Sequence, residues 1–174
     1  MENKKHQEDI IGDIMKVKGI ISEDFVNYKK PSMTIMTPVC KNFKCDKECG
    51  KPVCQNSALA KAPILNYAIK DIIELYRNNP IARAVVFQGL EPFDTFDDMC
   101  DFISIFREFY SIKDDIVIYT GYNKSEISNE LADLIEFPNI IVKFGRYIPN
   151  QEPHYDEVLG VQLASANQYA ERIS

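Results

Sequence analysis

Apolar residues recur along this chain in two rhythms: short runs rich in β-branched residues, and longer stretches with apolar positions three and four apart. The run Ser32-Met33-Thr34-Ile35-Met36-Thr37 predicts a buried strand over residues 33–36. An earlier strand is read over 17–21, and residues 24–31 read as a loop. Over 66–78, Ala68, Ile69, Ile72, Ile73 and Tyr76 fall at helical spacing, and Pro80 ends that helix. Residues 83–87 (RAVVF) predict a strand. Residues 95–110 predict a second helix with Phe96, Met99, Cys100, Ile103, Phe106 and Tyr110 on its apolar face. Thr95 is the candidate N-cap of that helix, and Asp97 and Asp98 stand in its first turn, where carboxylates complement the helix dipole. A strand over 115–120 (DIVIYT), a helix over 125–137 capped by Ser125, and a strand over 139–144 (NIIVKF) follow. Residues 1–15 read as a short helix or a loose arm. Residues 146–174 read as irregular, with a short final helix near 166–172.

Strands alternating with helices imply parallel pairing through right-handed crossovers. The units are too few for a closed eight-fold barrel. The expected fold is therefore α/β, a partial (half) β/α barrel formed by one domain over 1–174. In such a sheet the loops after the strands' C-terminal ends share one mouth, where ligands bind. Four loops converge there: the segment after residue 37, Gly89-Leu90-Glu91-Pro92, Gly121-Tyr122 and Gly145-Arg146.

Composition narrows the function. The chain has 174 residues, long enough to bury roughly 70% of its unfolded surface without disulfide staples. A formal charge of −6 argues against a nucleic-acid binder, which needs a basic face. No apolar run approaches the roughly 20 residues that span a bilayer, and the N-terminus lacks the apolar stretch of a secretory signal. The expectation is a cytoplasmic protein with no membrane partner. In that reducing compartment clustered cysteines hold metal or do redox chemistry more often than they form disulfides.

Four cysteines, Cys40, Cys45, Cys49 and Cys54, crowd into fifteen residues after the strand at 33–36. Thiolates suit zinc or an iron–sulfur cluster. Zinc ribbons use close-set pairs in two separated knuckles, whereas all four cysteines here share one loop. Spacing alone leaves iron–sulfur, zinc and unrelated surface thiols open. Cys100 sits mid-helix among apolar residues and reads as core. Gly89-Leu90-Glu91-Pro92 reads either as a plain turn or as a loop whose glycine lets backbone approach a ligand and whose Glu91 accepts from an ammonium group. Thr120-Gly121-Tyr122 is likewise a turn or a pocket wall. His6 and His154 stand near no serine or cysteine in a local motif, so no hydrolytic triad is expected.

Taken in order, these pieces resemble the radical S-adenosylmethionine (SAM) enzymes, in particular the family of activating proteins of anaerobic ribonucleoside-triphosphate reductase. The likeness runs from about residue 20 to 170. It includes Phe25-Val26-Asn27, the cysteine loop through Cys54-Gln55-Asn56, Gly89-Leu90-Glu91-Pro92 against the family's Gly-Gly-Glu-Pro, and Tyr119-Thr120-Gly121-Tyr122. It continues through Val142-Lys143-Phe144-Gly145-Arg146-Tyr147-Ile148, and through Ser165-Ala166-Asn167-Gln168 against the family's Ser-Ser-Asn-Gln. The cysteine spacing departs from the superfamily's three-then-two. Four residues separate Cys40 from Cys45, three separate Cys45 from Cys49, and eight separate Cys45 from Cys54. The resemblance implies a [4Fe–4S] cluster on Cys40, Cys45 and Cys54, with Cys49 competing for the third place. It implies SAM held by Gly89, Leu90, Glu91 and Pro92, with Tyr119, Thr120, Gly121 and Tyr122 on the nucleoside side. It also implies a flavodoxin or ferredoxin-type reductant and a glycyl-radical reductase subunit as partners, and no protein side chain as the reacting group. Other readings are a small radical SAM enzyme acting on a deazaguanine-type precursor, or a non-catalytic iron–sulfur or zinc module.

Overall fold

The computed structural model describes residues 13–174. Most of the expected N-terminal arm lies outside the described residues, and its last residues enter the first strand, β1 (Ile14–Val17). The chain continues with β2 (Gly19–Asp24), β3 (Ser32–Thr37), two short helices, α1 (Lys44–Cys49) and α2 (Ser57–Ala60), and β4 (Leu65–Ala68). Then come α3 (Ile69–Arg77), β5 (Ala84–Gly89), α4 (Phe96–Ser104), β6 (Asp115–Tyr119), α5 (Ser128–Leu134) and β7 (Ile140–Phe144). The tail forms β8 (His154–Asp156), β9 (Val161–Leu163) and β10 (Tyr169–Arg172).

One six-stranded sheet organises the molecule, in the order β10-β7-β6-β5-β3-β2. Its inner pairs β3/β5, β5/β6 and β6/β7 are parallel, as the alternation of strand and helix requires, and the edges β2 and β10 run antiparallel. The fold is thus mixed α/β with a parallel centre. Period-two side-chain alternation splits the strands between two cores. Met33, Ile35, Val85, Phe87, Ile116, Ile118, Ile140 and Val142 pack with Ile72, Ile73, Met99, Phe102, Phe106 and Leu134 from the helices. Ala84, Val86, Val117 and Ile141 face the other way, where Tyr28, Leu159 and Leu163 cover them.

Five expectations are revised. The strand expected over 17–21 is two strands that meet at Lys18, whose amide donates to Met36 O. The helix expected from residue 66 begins at Ile69, because residues 65–68 pair antiparallel with β1 and satisfy their backbone there. The helix at 95–110 is preceded by a 3-10 turn, Pro92–Thr95, and closes with a π turn, Ile105–Phe109, in which Tyr110 N bonds Ile105 O; Thr95 stands at its N-cap without a side-chain cap bond. Ser125 is not the cap of the third helix. Asn123 and Glu126 form a capping box around a 3-10 turn, and α5 starts at Ser128. The expected final helix is instead strand β10, because an open edge of β7 offers residues 169–172 more backbone bonds than a free helical turn. No helix among the described residues is long and apolar enough to cross a membrane.

Candidate functional site

The parallel strands put their C-terminal loops at one edge, and the segments after β3, β5, β6 and β7 line one pocket there. Cys40, Asn42, Lys44, Cys45, Glu91, Asp94, Gly121, Tyr122 and Arg146 line a cleft that opens to solvent, with about 270 Å³ of space including its open mouth.

Glu91 is the best-fixed group in it. Gly89 ends β5 at φ 101°, a conformation that favours glycine, and a Cβ there would lie 2.9 Å from Leu59 Cδ2 and 3.3 Å from Met36 Cα. The turn that follows aims Glu91 inward, and its amide donates to Val39 O at 2.8 Å. The Glu91 carboxylate is 7% exposed. Oε1 accepts from Thr120 Oγ1 at 2.7 Å and Phe93 N at 3.1 Å, and Oε2 accepts from Gly121 N at 2.9 Å. Burial pushes its pKa up to about 7, against the pull of those three donors.

Each cysteine has a distinct place. All five are free thiols of intermediate exposure. Cys40 and Cys45 line the pocket. Burial raises both thiols. The amides of Phe43 and Asn42 oppose the rise at Cys40. At Cys45 the Tyr147 amide opposes it, a nearby Cys54 adds to it, and Lys143 and Arg146 pull it down. Cys54 N and Val53 N both donate to Asp46 Oδ1 at 2.7 Å. Cys49 ends α1, and neither Cys49 nor Cys54 lines the pocket. Cys100 packs against the helical core, as expected. Phe43, just before α1, is held at φ 42°, ψ 50°, a left-handed conformation uncommon for a bulky residue.

Charged residues bridge the mouth beside the cysteine helix. Glu126 accepts from Lys44 Nζ at 2.8 Å and Arg146 Nη2 at 2.7 Å. Arg146, 5% exposed, also brings Nε within 3.1 Å of Glu48 Oε1, an ion pair whose geometry makes no hydrogen bond. Asp94 accepts from Lys41 N at 2.6 Å and from the Tyr122 hydroxyl at 2.7 Å, so one carboxylate joins the cysteine loop to two other loops. Behind the pocket Lys143 is 7% exposed and donates to Gly145 O at 2.9 Å; burial lowers its pKa to about 8, while Glu91 and Cys45 pull it upward. The tail motif braces this wall. Asn167 Nδ2 donates to Arg146 O at 2.8 Å and Gln168 Nε2 to Gly145 O at 3.3 Å.

Among the residues singled out in the sequence, Cys40, Cys45, Glu91, Gly121 and Tyr122 meet in the pocket. Thr120 stands behind Glu91 as its donor, and Gly89, Leu90 and Pro92 shape the loop without lining the cavity. Tyr119 turns to the opposite face of the sheet, where its hydroxyl donates to Asn27 O. Sequence reasoning missed Lys44, Asp46, Asp94 and Glu126. The charges that bracket the cysteines in Lys44-Cys45-Asp46-Lys47-Glu48-Cys49 were the available signal.

The donor chemistry fits a cluster of soft metal ions: thiols at the pocket wall, unpaired in disulfides, with lysine and arginine nearby to offset thiolate charge. Among the described residues no three cysteine, histidine or acidic side chains already form a closed ligand set. A family model described as a 4Fe-4S single cluster domain matches residues 33–169. Searches of curated proteins and of solved structures gave no match.

Proposed function

Because the chain belongs to the 4Fe-4S single cluster domain family, we propose that it is a radical SAM activase that generates a glycyl radical on an anaerobic ribonucleotide reductase. One observation carries this reading: the buried Glu91 carboxylate lines the same pocket as the thiols of Cys40 and Cys45. A wall of soft donors facing a fixed carboxylate suits a ligand that presents an ammonium group beside a metal. In this reading Cys40 and Cys45 hold the cluster together with Cys54 or Cys49. When bound, the cluster would pass one electron from a flavodoxin or ferredoxin-type protein to SAM, which would release methionine and provide the radical chemistry needed to take a hydrogen atom from a glycine of the partner reductase.

The chain's own residues bind and orient the ligand. Glu91 takes the SAM ammonium, and Thr120 Oγ1 and the Gly121 and Phe93 amides hold the carboxylate in position for it. Gly121 and Tyr122 form the nucleoside side. The Lys44–Glu126–Arg146 group ties α1 across the mouth and holds the cysteine loop in place. The run β3-β5-β6-β7 is then a half β/α barrel with its ligand at the C-terminal mouth, in a cytoplasmic protein whose thiols stay reduced.

The test is EPR on anaerobically reconstituted, reduced protein with and without SAM. The expected result is a [4Fe–4S]⁺ signal whose shape changes when SAM is added. In the Glu91→Gln variant the signal persists and SAM affinity falls by roughly tenfold or more, the effect of losing a hydrogen bond to a charged group. A cluster signal indifferent to SAM, or bound zinc in place of iron, refutes the proposal.

A further inference from the structure

Cys45 and Cys54 are separated by eight residues, a span that leaves a free loop's end without a fixed place. Here the end is fixed. Asp46, the neighbour of Cys45 in sequence, accepts from Val53 N and Cys54 N with one oxygen at 2.7 Å each. Gly50 makes this possible. It terminates α1 in the left-handed region, φ 66°, and its amide donates to Lys47 O at 3.3 Å, so the chain reverses and runs back along the helix. The result is a nine-residue ring closed by a carboxylate, with a cysteine at each side of the clasp. Cys49, one helical turn beyond Cys45, sits about 6 Å farther along the helix axis and immediately before the reversal.

The remaining charges of α1 fix the helix itself. Lys44 and Glu48, four apart and hence on one face, reach Glu126 and Arg146 across the mouth. Asp46 is left free to serve the returning strand. Every acidic side chain of the Lys44–Cys49 helix thus has a partner outside the helix.

Resting on the cluster reading above, we infer that Asp46 is a positioning residue that makes Cys54, and not Cys49, the third thiolate beside Cys40 and Cys45. It holds the Cys54 backbone against the turn that bears Cys45 and so keeps the two thiols neighbours across an unusual spacing.

The experiment compares wild type, Cys49→Ala, Cys54→Ala, Asp46→Ala and Asp46→Asn as full chains reconstituted anaerobically with ferrous iron and sulfide. Iron and acid-labile sulfide per chain, the EPR spectrum of the reduced protein, and the rate of iron loss to a chelator are measured. Cys49→Ala keeps the wild-type iron content and spectrum. Cys54→Ala loses the four-iron signal. Asp46→Ala releases iron about tenfold faster or more, and Asp46→Asn, which keeps an acceptor oxygen, recovers most of that loss. A second readout uses the cluster-free protein. Alkylation of Cys54, followed by peptide mass, accelerates in Asp46→Ala while that of Cys40 does not. If Cys49→Ala abolishes the cluster and Cys54→Ala retains it, the ligand assignment is overturned. If both Asp46 variants match wild type in iron release and in Cys54 alkylation, the positioning role is overturned. If Asp46→Ala does not fold, as circular dichroism reports, Asp46→Asn decides alone, and iron release from it faster than from Cys49→Ala by more than tenfold overturns rescue by the acceptor oxygen. A wild-type chain that takes up no iron–sulfur cluster refutes the proposed function itself, a result distinct from all of these.

Discussion

Replacing Glu91 by glutamine tests the burial of this carboxylate without any ligand. In the folded protein its pKa stands at about 7 against an ordinary 4.5, with burial as the leading cause. The folded state therefore holds the proton more tightly than the unfolded chain does. The stability linked to this group is fully present below about pH 4.5 and is lost as pH rises through about 7. The gap corresponds to about 3 kcal/mol. Glutamine removes the ionisation but keeps the shape. Its carbonyl oxygen can still accept from Thr120 Oγ1 and Phe93 N. Its amino group then faces the Gly121 amide, donor against donor, where Glu91 Oε2 accepted at 2.9 Å. Leaving that amide unpaired costs about 1–3 kcal/mol. At pH 5 the variant is thus less stable than wild type by that amount. At pH 8 the wild type carries the ionisation cost as well, and the difference closes or reverses. The assay is urea unfolding of the cluster-free protein under anaerobic, reducing conditions at pH 5 and pH 8. The expected change in the stability difference between the two pH values is about 3 kcal/mol. A difference constant to within about 1 kcal/mol refutes the argument, because it means that Glu91 ionises in the folded protein as it does in water.

Two further substitutions probe the frame around the site. Cys100→Ala keeps full iron content, which an iron assay checks, since this thiol packs with the helical core and burial pushes its pKa up to about 12; in wild type it reacts slowly with iodoacetamide at pH 8, which peptide mass analysis checks. Gly89→Ala places a methyl group 2.9 Å from Leu59 Cδ2 and 3.3 Å from the Met36 backbone at positive φ, so thermal unfolding of the variant shows a loss of about 1–3 kcal/mol, and Leu59 with its short helix shifts away from the pocket.

Local pattern carried much of this molecule. The β-branched runs at 83–87, 115–120 and 139–144 are the central strands, and the helical spacing of Ile72, Ile73, Tyr76, Met99, Ile103 and Phe106 marks the face that packs on them. These positions were legible because burial on one face imposes a period, and a period is a property of consecutive residues. Strand β4 was hidden because four residues of alternation run straight into a helix, and β10 because only an open edge of β7, some thirty residues earlier in the chain, gives residues 169–172 their partners.

The site divides along the same line. Thiols near a strand end, a Gly-Leu-Glu-Pro turn and a Thr-Gly-Tyr turn determined by themselves only that several chemistry-bearing loops follow parallel strands and so share one edge of the sheet. Only the tertiary structure decided which groups meet. Glu91 receives Thr120 and Gly121 from the next strand, Arg146 and Glu126 grip α1, Tyr119 faces away, and Asn167 holds the Arg146 backbone from the tail. Such bonds join residues far apart in the chain, and their distances are fixed by how the strands stack and where each loop leaves the sheet. A hydrogen bond needs its partners placed to within a few tenths of an ångström, whereas burial needs only the right face. Sequence specifies the face directly, and the placement exists only once the sheet has closed.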